Sequence, residues 1–272
     1  MSSAIPVNPV SPAGVAHPNR PGVVLLDLDG VVWLARRPIP GSVEAIARLR
    51  AAGTRVLFVT NNSMSKVAQQ EAALEAIGVP AVGDVVTSAM AAAQLIEPGD
   101  TVHVCGGPGI VEAVERRGAV VADAGPYTAV MVGLNPAFTY DVLKDAAAAV
   151  RSGARLIGTN DDATYPTPDG PIPGGGSILA AVTVASGVQP VVAGKPHAPM
   201  ASLVRSIVGD VAAREAVMIG DRPDTDGAFA QRLGCRYGQV FSGVTARDEA
   251  LDITPDITGD DLASIVDELL RS

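Results

Sequence analysis

A chain of 272 residues can bury a sizeable core in one or two domains, and with 47% hydrophobic but only 3% aromatic residues that core is built mainly of Val, Ala, Leu and Ile. A formal net charge of -9 and a pI near 4.8 argue against nucleic acid or an anionic membrane as the main partner, yet leave room for a small anionic substrate at a locally opposed site. Cys105 and Cys235 lie far apart without a C-x-x-C pairing, and no apolar stretch approaches the roughly 20 residues of a membrane span, so a reduced, cytoplasmic setting is expected.

The first 21 residues carry Pro6, Pro9, Pro12, Pro18 and Pro21 and lack a basic start or a sustained apolar centre. They read as a mobile, partly extended tail rather than a signal peptide. The apolar run Val23–Leu26 then delivers Asp27 and Asp29 to a turn opened by Gly30. Residues two apart in an extended segment point to one face, so the two carboxylates converge and repel unless a cation or a proton lies between them. By itself this pattern is equally a strand ending in a polar turn. Residues 41–52 form an amphipathic helix on Val43, Ile46 and Leu49, and residues 54–59 (TRVLFV) a buried strand ending in Thr60, Asn61, Asn62 and Ser63. The next helix is expected to be capped by Ser63 or Ser65, to run to Ile77 and to stop at Gly78. Strand, helix, strand in this rhythm predicts a parallel sheet with right-handed crossovers and chemistry at the carboxyl ends of its strands.

Pro98, Gly99 and Asp100 mark a boundary, after which residues 101–188 form a small α/β unit of their own. It holds the longest turn-rich segment, residues 159–176 (TNDDATYPTPDGPIPGGG), and loops of that length are usually functional or mobile. The last third returns to the first rhythm, with Lys195 after one strand, Asp221 after another, and an amphipathic terminal helix on Leu262, Ile265, Val266 and Leu269.

Four strand ends thus bring polar groups to one edge. Asp27, Asp29 and Asp221 are hard oxygen donors suited to Mg²⁺, with Asp224 or Asp226 as an outer support. Lys195 supplies charge and Thr60 direction for the oxygens of a phosphoryl group. Alone, Thr60 and its neighbours read as a helix cap and Lys195 as a surface lysine. The runs Gly106–Gly109 and Gly174–Gly176 lack phosphate-loop spacing, and three scattered histidines favour neither a Ser-His-Asp triad nor a zinc site.

In order, DLDGVVW, TNNS, GKP and GDRPDTD resemble the motifs of the haloacid-dehalogenase-like (HAD) superfamily phosphatases, and the long insert resembles the α/β cap of their subgroup IIA, which includes p-nitrophenyl phosphatases and phosphatases of glycerol phosphate, pyridoxal phosphate and nucleotides. The resemblance runs from Val23 to the end of the chain. It implies a Rossmann-like parallel-sheet core from residues 22–100 and 189–272 and an inserted cap at 101–188. It makes Asp27 the nucleophile and Asp29 the acid that protonates the leaving oxygen and then activates water. Asp27, Asp221 and the backbone carbonyl of Asp29 would hold Mg²⁺, with Asp226 supporting the shell, while Thr60, Asn61 and Lys195 steady the phosphoryl oxygens.

The cap is expected to select the ester. Residues 160–167 resemble the loop that projects toward the active site in this subgroup, with Tyr165, then Asn160 and Asp162, as substrate-facing residues; Tyr165 reads equally as a side chain packing the cap on itself. The absence of a basic cluster there favours a small polar alcohol phosphate, and since caps of this subgroup often mediate dimers, a homodimer is one expected assembly. A phospho-accepting receiver module also uses acidic residues, a Thr and a Lys, but its acceptor lies on a later strand and it has no cap. A silent metabolite-binding member of the fold and a mutase are the remaining alternatives.

Overall fold

The computed structural model describes residues 20–167 and 169–271. The Pro-rich tail expected at the start lies, up to residue 19, outside the described residues. The chain divides into two compact units: one runs to Val59 and takes up Gln70–Val85 and everything from Val204 on, and the other comprises Thr60–Gln69 and Val86–Leu203.

The first unit is organised on a six-stranded sheet with the order Ile257–Gly259, Arg236–Val240, Val217–Gly220, Val23–Leu26, Arg55–Thr60, Val85–Thr87. Val23–Leu26 is central and pairs in parallel with both neighbours, Leu26 standing opposite Ile219 on one side and Phe58 on the other. A strand covered on both faces has no polar side to show, and every residue of Val23–Leu26 is buried. Helix Ser42–Ala51 buries Ala45, Ile46 and Leu49 and packs against Leu262–Arg271, which buries Leu262, Ile265, Val266 and Leu269. Asp261 accepts the Ser264 N–H at 2.8 Å and satisfies a donor that the first turn of that terminal helix leaves without an intrahelical partner. Beyond the aspartate turn, Trp33–Leu34 and Arg37–Pro38 form a short antiparallel hairpin whose two central residues, Ala35 and Arg36, both have positive φ. That is the backbone a tight hairpin of the strand's own twist demands.

The second unit carries a five-stranded sheet, ordered Val191–Val192, Arg155–Gly158, Ala129–Val132, Thr101–Cys105, Val120–Val121, with all its pairings parallel. Helices Tyr140–Arg151 and Gly175–Ser186 pack together and close a core that includes Val130, Val132, Ala146, Val150, Leu156, Leu179 and Val182. The turn-rich segment contains a small antiparallel hairpin, Thr164–Tyr165 with Ile172–Pro173.

Two sequence expectations differ locally. The helix expected to be capped by Ser63 or Ser65 begins at Val67, because Asn62 Oδ1 accepts the N–H groups of Met64 and Ser65 and shapes those residues into a loop. Strands Arg236–Val240 and Ile257–Gly259 have no counterpart in the sequence reading: Arg236, Gly238 and Gln239 interrupt any apolar run, although four of the five residues of the first strand are buried. Among the described residues, no helix is long and apolar enough to cross a membrane.

Candidate active site

The site begins where the central strand ends. The Asp27 N–H donates to the Ile219 carbonyl at 3.0 Å, so the chain stays in the sheet through Asp27 before it turns. The turn is tight: the Leu28 carbonyl accepts the N–H groups of Val32 and Trp33, and Gly30 adopts φ 87°. Buried Trp33 folds back and donates its indole N–H to Asp29 Oδ1 at 3.1 Å, so Asp29 is oriented by a side chain four residues on.

Asp221 ends the neighbouring strand Val217–Gly220 and is 1% exposed. Its Oδ2 accepts the Val244 N–H at 2.7 Å, and the Gln239 amide donates to its backbone carbonyl at 3.0 Å. The carboxylate is wedged between backbones: a Cβ on Gly30 would stand 2.5 Å from Asp221 Oδ2, and one on Gly243 would overlap the same oxygen. Asp226 arrives from the five-residue π-helical turn Pro223–Gly227, where its Oδ2 accepts the Arg222 N–H at 3.2 Å. A Cβ on Gly220 would collide with its carboxyl group, so glycine there admits Asp226. Pro223 occupies the first position of the turn, where a missing N–H forfeits no bond.

Asp27, Asp221 and Asp226 can each offer an oxygen such that the oxygens lie within 4.8 Å of one another. Such crowding has a cost. Burial, and then the charges of Asp27 and Asp226, push the Asp221 carboxyl up to about 8, against the opposing pull of the Val244 N–H and Arg222. Asp221 Oδ1 is buried and has no hydrogen-bond partner among the described residues. A buried oxygen without a partner, on one member of a carboxylate cluster, fits a hard divalent cation, which neutralises the repulsion between the carboxylates. The carboxylate of Asp226 therefore joins those of Asp27 and Asp221 in one cluster, while that of Asp29 engages Trp33.

Thr60, Asn61, Asn160, Asp162, Tyr165 and Lys195 lie in the second unit. Thr60 closes the strand Arg55–Thr60, is buried, and accepts the Asn62 N–H at 3.0 Å. Lys195 is 1% exposed, far from the solvated lysine its isolated sequence suggests. Asn61 donates its amide to Asp162 Oδ2 at 3.1 Å and to the Lys195 carbonyl at 3.0 Å, and its Oδ1 accepts the Lys195 N–H at 2.8 Å. Asn160 is buried and donates to the Asn61 carbonyl at 2.9 Å, while its own Oδ1 accepts the Asp162 N–H at 3.3 Å. Tyr165 is half-buried in the short hairpin, opposite Ile172. Gln239, Gly243 and Val244, which grip Asp221, were not foreseen. No spacing links them to it, and only the glycine carries even a faint local signal.

A family profile described as haloacid dehalogenase-like hydrolase matches residues 24–120, and a second HAD-hydrolase-like profile matches residues 192–265. The chain is 36% identical over 251 residues to an acid sugar phosphatase of Staphylococcus saprophyticus, spanning 90% of this chain and 96% of that protein. It is 35% identical over 233 residues to the 5'-nucleotidase YutF of Bacillus subtilis, across 84% of this chain and 90% of the relative. The solved structure of a glycerol phosphate phosphatase from Mycobacterium tuberculosis in complex with magnesium superposes with a TM-score of 0.79 at 34% identity, covering 91% of this chain and 76% of the other. Matched at both ends by the family's profiles and nearly end to end by its phosphatases, this chain belongs to the haloacid dehalogenase-like hydrolases and is a phosphoric monoester hydrolase of the subgroup IIA type.

Proposed function

We propose that the chain hydrolyses small-molecule phosphate monoesters with Mg²⁺ through a phosphoryl group carried transiently on Asp27. The observation that carries this reading is the clustering of the Asp27, Asp221 and Asp226 carboxylates, one of which, Asp221, keeps a buried oxygen without a hydrogen-bond partner among the described residues. Asp27, Asp221 and the backbone carbonyl of Asp29 are the residues that would hold the ion, with Asp226 supporting its shell. When bound, the ion supplies positive charge that offsets the repulsion between the carboxylates and the charge on the phosphoryl oxygens.

Asp27 attacks phosphorus, and the bond to the ester oxygen breaks. Asp29, oriented by Trp33, gives its proton to the departing alcohol and then takes one from the water that cleaves the aspartyl-phosphate. Thr60 and Lys195 steady the phosphoryl oxygens, and the buried position of Lys195 strengthens its charge by excluding water. Residues 101–188 act as an inserted cap that selects the ester, with Tyr165, Asn160 and Asp162 as the residues that choose it. The sugar phosphatase, the nucleotidase and the glycerol phosphate phosphatase among its relatives support a polar hydroxyl compound as that leaving group. A screen of sugar phosphates, glycerol phosphates, nucleoside monophosphates and 4-nitrophenyl phosphate, with Mg²⁺ and with chelator, tests the proposal. Catalytic turnover that chelation abolishes is expected. Release of one phosphate per chain, or turnover indifferent to chelator, would overturn it.

A further inference from the structure

We propose that the Asn61 side chain is a brace rather than a phosphate ligand: it couples the backbone of Lys195 to the loop that carries Asp162, and so ties the holding of the phosphoryl group to the choice of ester. The proposal rests on the roles given above to Lys195 and Asp162. Its observation is the complete use of one side-chain amide. One Nδ2 serves Asp162 Oδ2 at 3.1 Å and the Lys195 carbonyl at 3.0 Å, and Oδ1 takes the Lys195 N–H at 2.8 Å. An amide has two hydrogens on nitrogen, and both have acceptors here, which leaves none for a phosphoryl oxygen. The orientation follows from chemistry, since a carboxylate and a carbonyl both require donors and the Lys195 N–H requires an acceptor.

The surroundings are built for this contact. The Asn61 carbonyl accepts from Asn160 Nδ2 at 2.9 Å and from Ser88 Oγ at 2.7 Å, so the backbone of the brace is itself held on two sides. A Cβ on Gly194 would stand 2.6 Å from Asn61 Oδ1, so glycine just before Lys195 lets the two segments close. Nearby, Ser63 Oγ meets Thr159 Oγ1 at 2.8 Å, and His197 Nε2 meets Asp161 Oδ2 at 2.8 Å. These latches join the same segments, but neither touches both the Lys195 backbone and Asp162. Asn61 does both, so a shift of Asp162 on meeting an ester is transmitted to the lysine that faces the phosphoryl group.

The two arms can be separated by an exchange of side chains in the full-length protein with Mg²⁺, using 4-nitrophenyl phosphate, glycerol 3-phosphate and a nucleoside monophosphate as probes. Asn61→Asp sets two carboxylates against each other and turns an acceptor toward the Lys195 carbonyl. It is expected to lower kcat about ten- to a hundredfold and to change the ranking of the three esters. Adding Asp162→Asn lets an amide and a carboxylate face each other with their places exchanged. The change in ranking is then smaller than the two single substitutions together would give, while the loss in kcat persists, because the Lys195 carbonyl still lacks its donor. A folded Asn61→Asp protein with wild-type ranking, or effects of the two substitutions that simply add, overturns the brace. If Asn61→Asp does not melt cooperatively, Asn61→Ser replaces it: a changed ranking supports the brace and an unchanged one overturns it. Turnover by the wild type with an unaltered ranking in the variants defeats the brace alone, whereas no Mg²⁺-dependent turnover in the wild type defeats the phosphatase reading itself.

Discussion

At the scale of single residues, the site is a problem in charge and room. Asp27 and Asp221 repel, and the crowding is tolerated because Gly30 and Gly243 leave Asp221 space while the Val244 N–H holds one of its oxygens. Asp27→Asn keeps the shape and removes both the nucleophile and one repelling charge. Turnover should vanish while the metal-free protein melts higher than the wild type at pH 8, measured by phosphate release and thermal denaturation; retained activity would sink the assignment of Asp27. Gly243→Ala acts from the opposite direction. Its new methyl overlaps Asp221 Oδ2, so Mg²⁺ affinity should fall by about tenfold or more, read by calorimetric titration. Unchanged affinity would mean that the carboxylate has another way to reach its place.

At the scale of elements, the chain depends on local devices that differ in how far they can be read ahead. The terminal helix was legible because Leu262, Ile265, Val266 and Leu269 repeat at helical spacing, and all four are buried. Strand Arg236–Val240 was not, because Arg236, Gly238 and Gln239 break any apolar run and its place is set by backbone pairing with Val217–Gly220 and Ile257–Gly259, strands distant in sequence. Helix Tyr140–Arg151 is capped by Thr139, whose hydroxyl accepts the Val142 N–H at 3.3 Å. Thr139→Ala should cost about 1 kcal/mol of stability and leave kcat unchanged, measured by chemical denaturation beside an activity assay. In the short hairpin, Tyr165→Ala should alter the ranking of natural esters more than the rate on 4-nitrophenyl phosphate. An unchanged ranking would put selectivity on other residues of the cap.

At the scale of the whole molecule, ion binding and folding are linked through Asp221. Its carboxyl is raised from the ordinary value of 3.8 to about 8 by burial and by its neighbours. The folded protein therefore binds a proton there more tightly than the unfolded chain does. That contribution to stability is full below about pH 4 and is lost as pH rises through about 8. A divalent cation replaces the proton, so the rise in melting temperature caused by Mg²⁺ should be small at pH 5 and grow toward pH 8 and above. An equal rise at both pH values would show that ion binding displaces no proton.

The paired aspartates, the alternation of apolar runs and helical stripes, and the order of polar strand ends were all visible in the residues, because each is written in short-range spacing. The motif order pointed to the family, and the matched profiles and relatives bear that out. Which groups actually meet is a different matter. That Asp226 approaches Asp27 and Asp221, that Gly243 and Val244 grip a carboxylate from a distant loop, and that the Asn61 amide joins Asp162 to Lys195 depend on chain segments far apart in sequence. Such contacts exist only once the sheets have set their strand order, and a hydrogen bond or a glycine's missing methyl leaves no periodic trace by which a sequence could announce it.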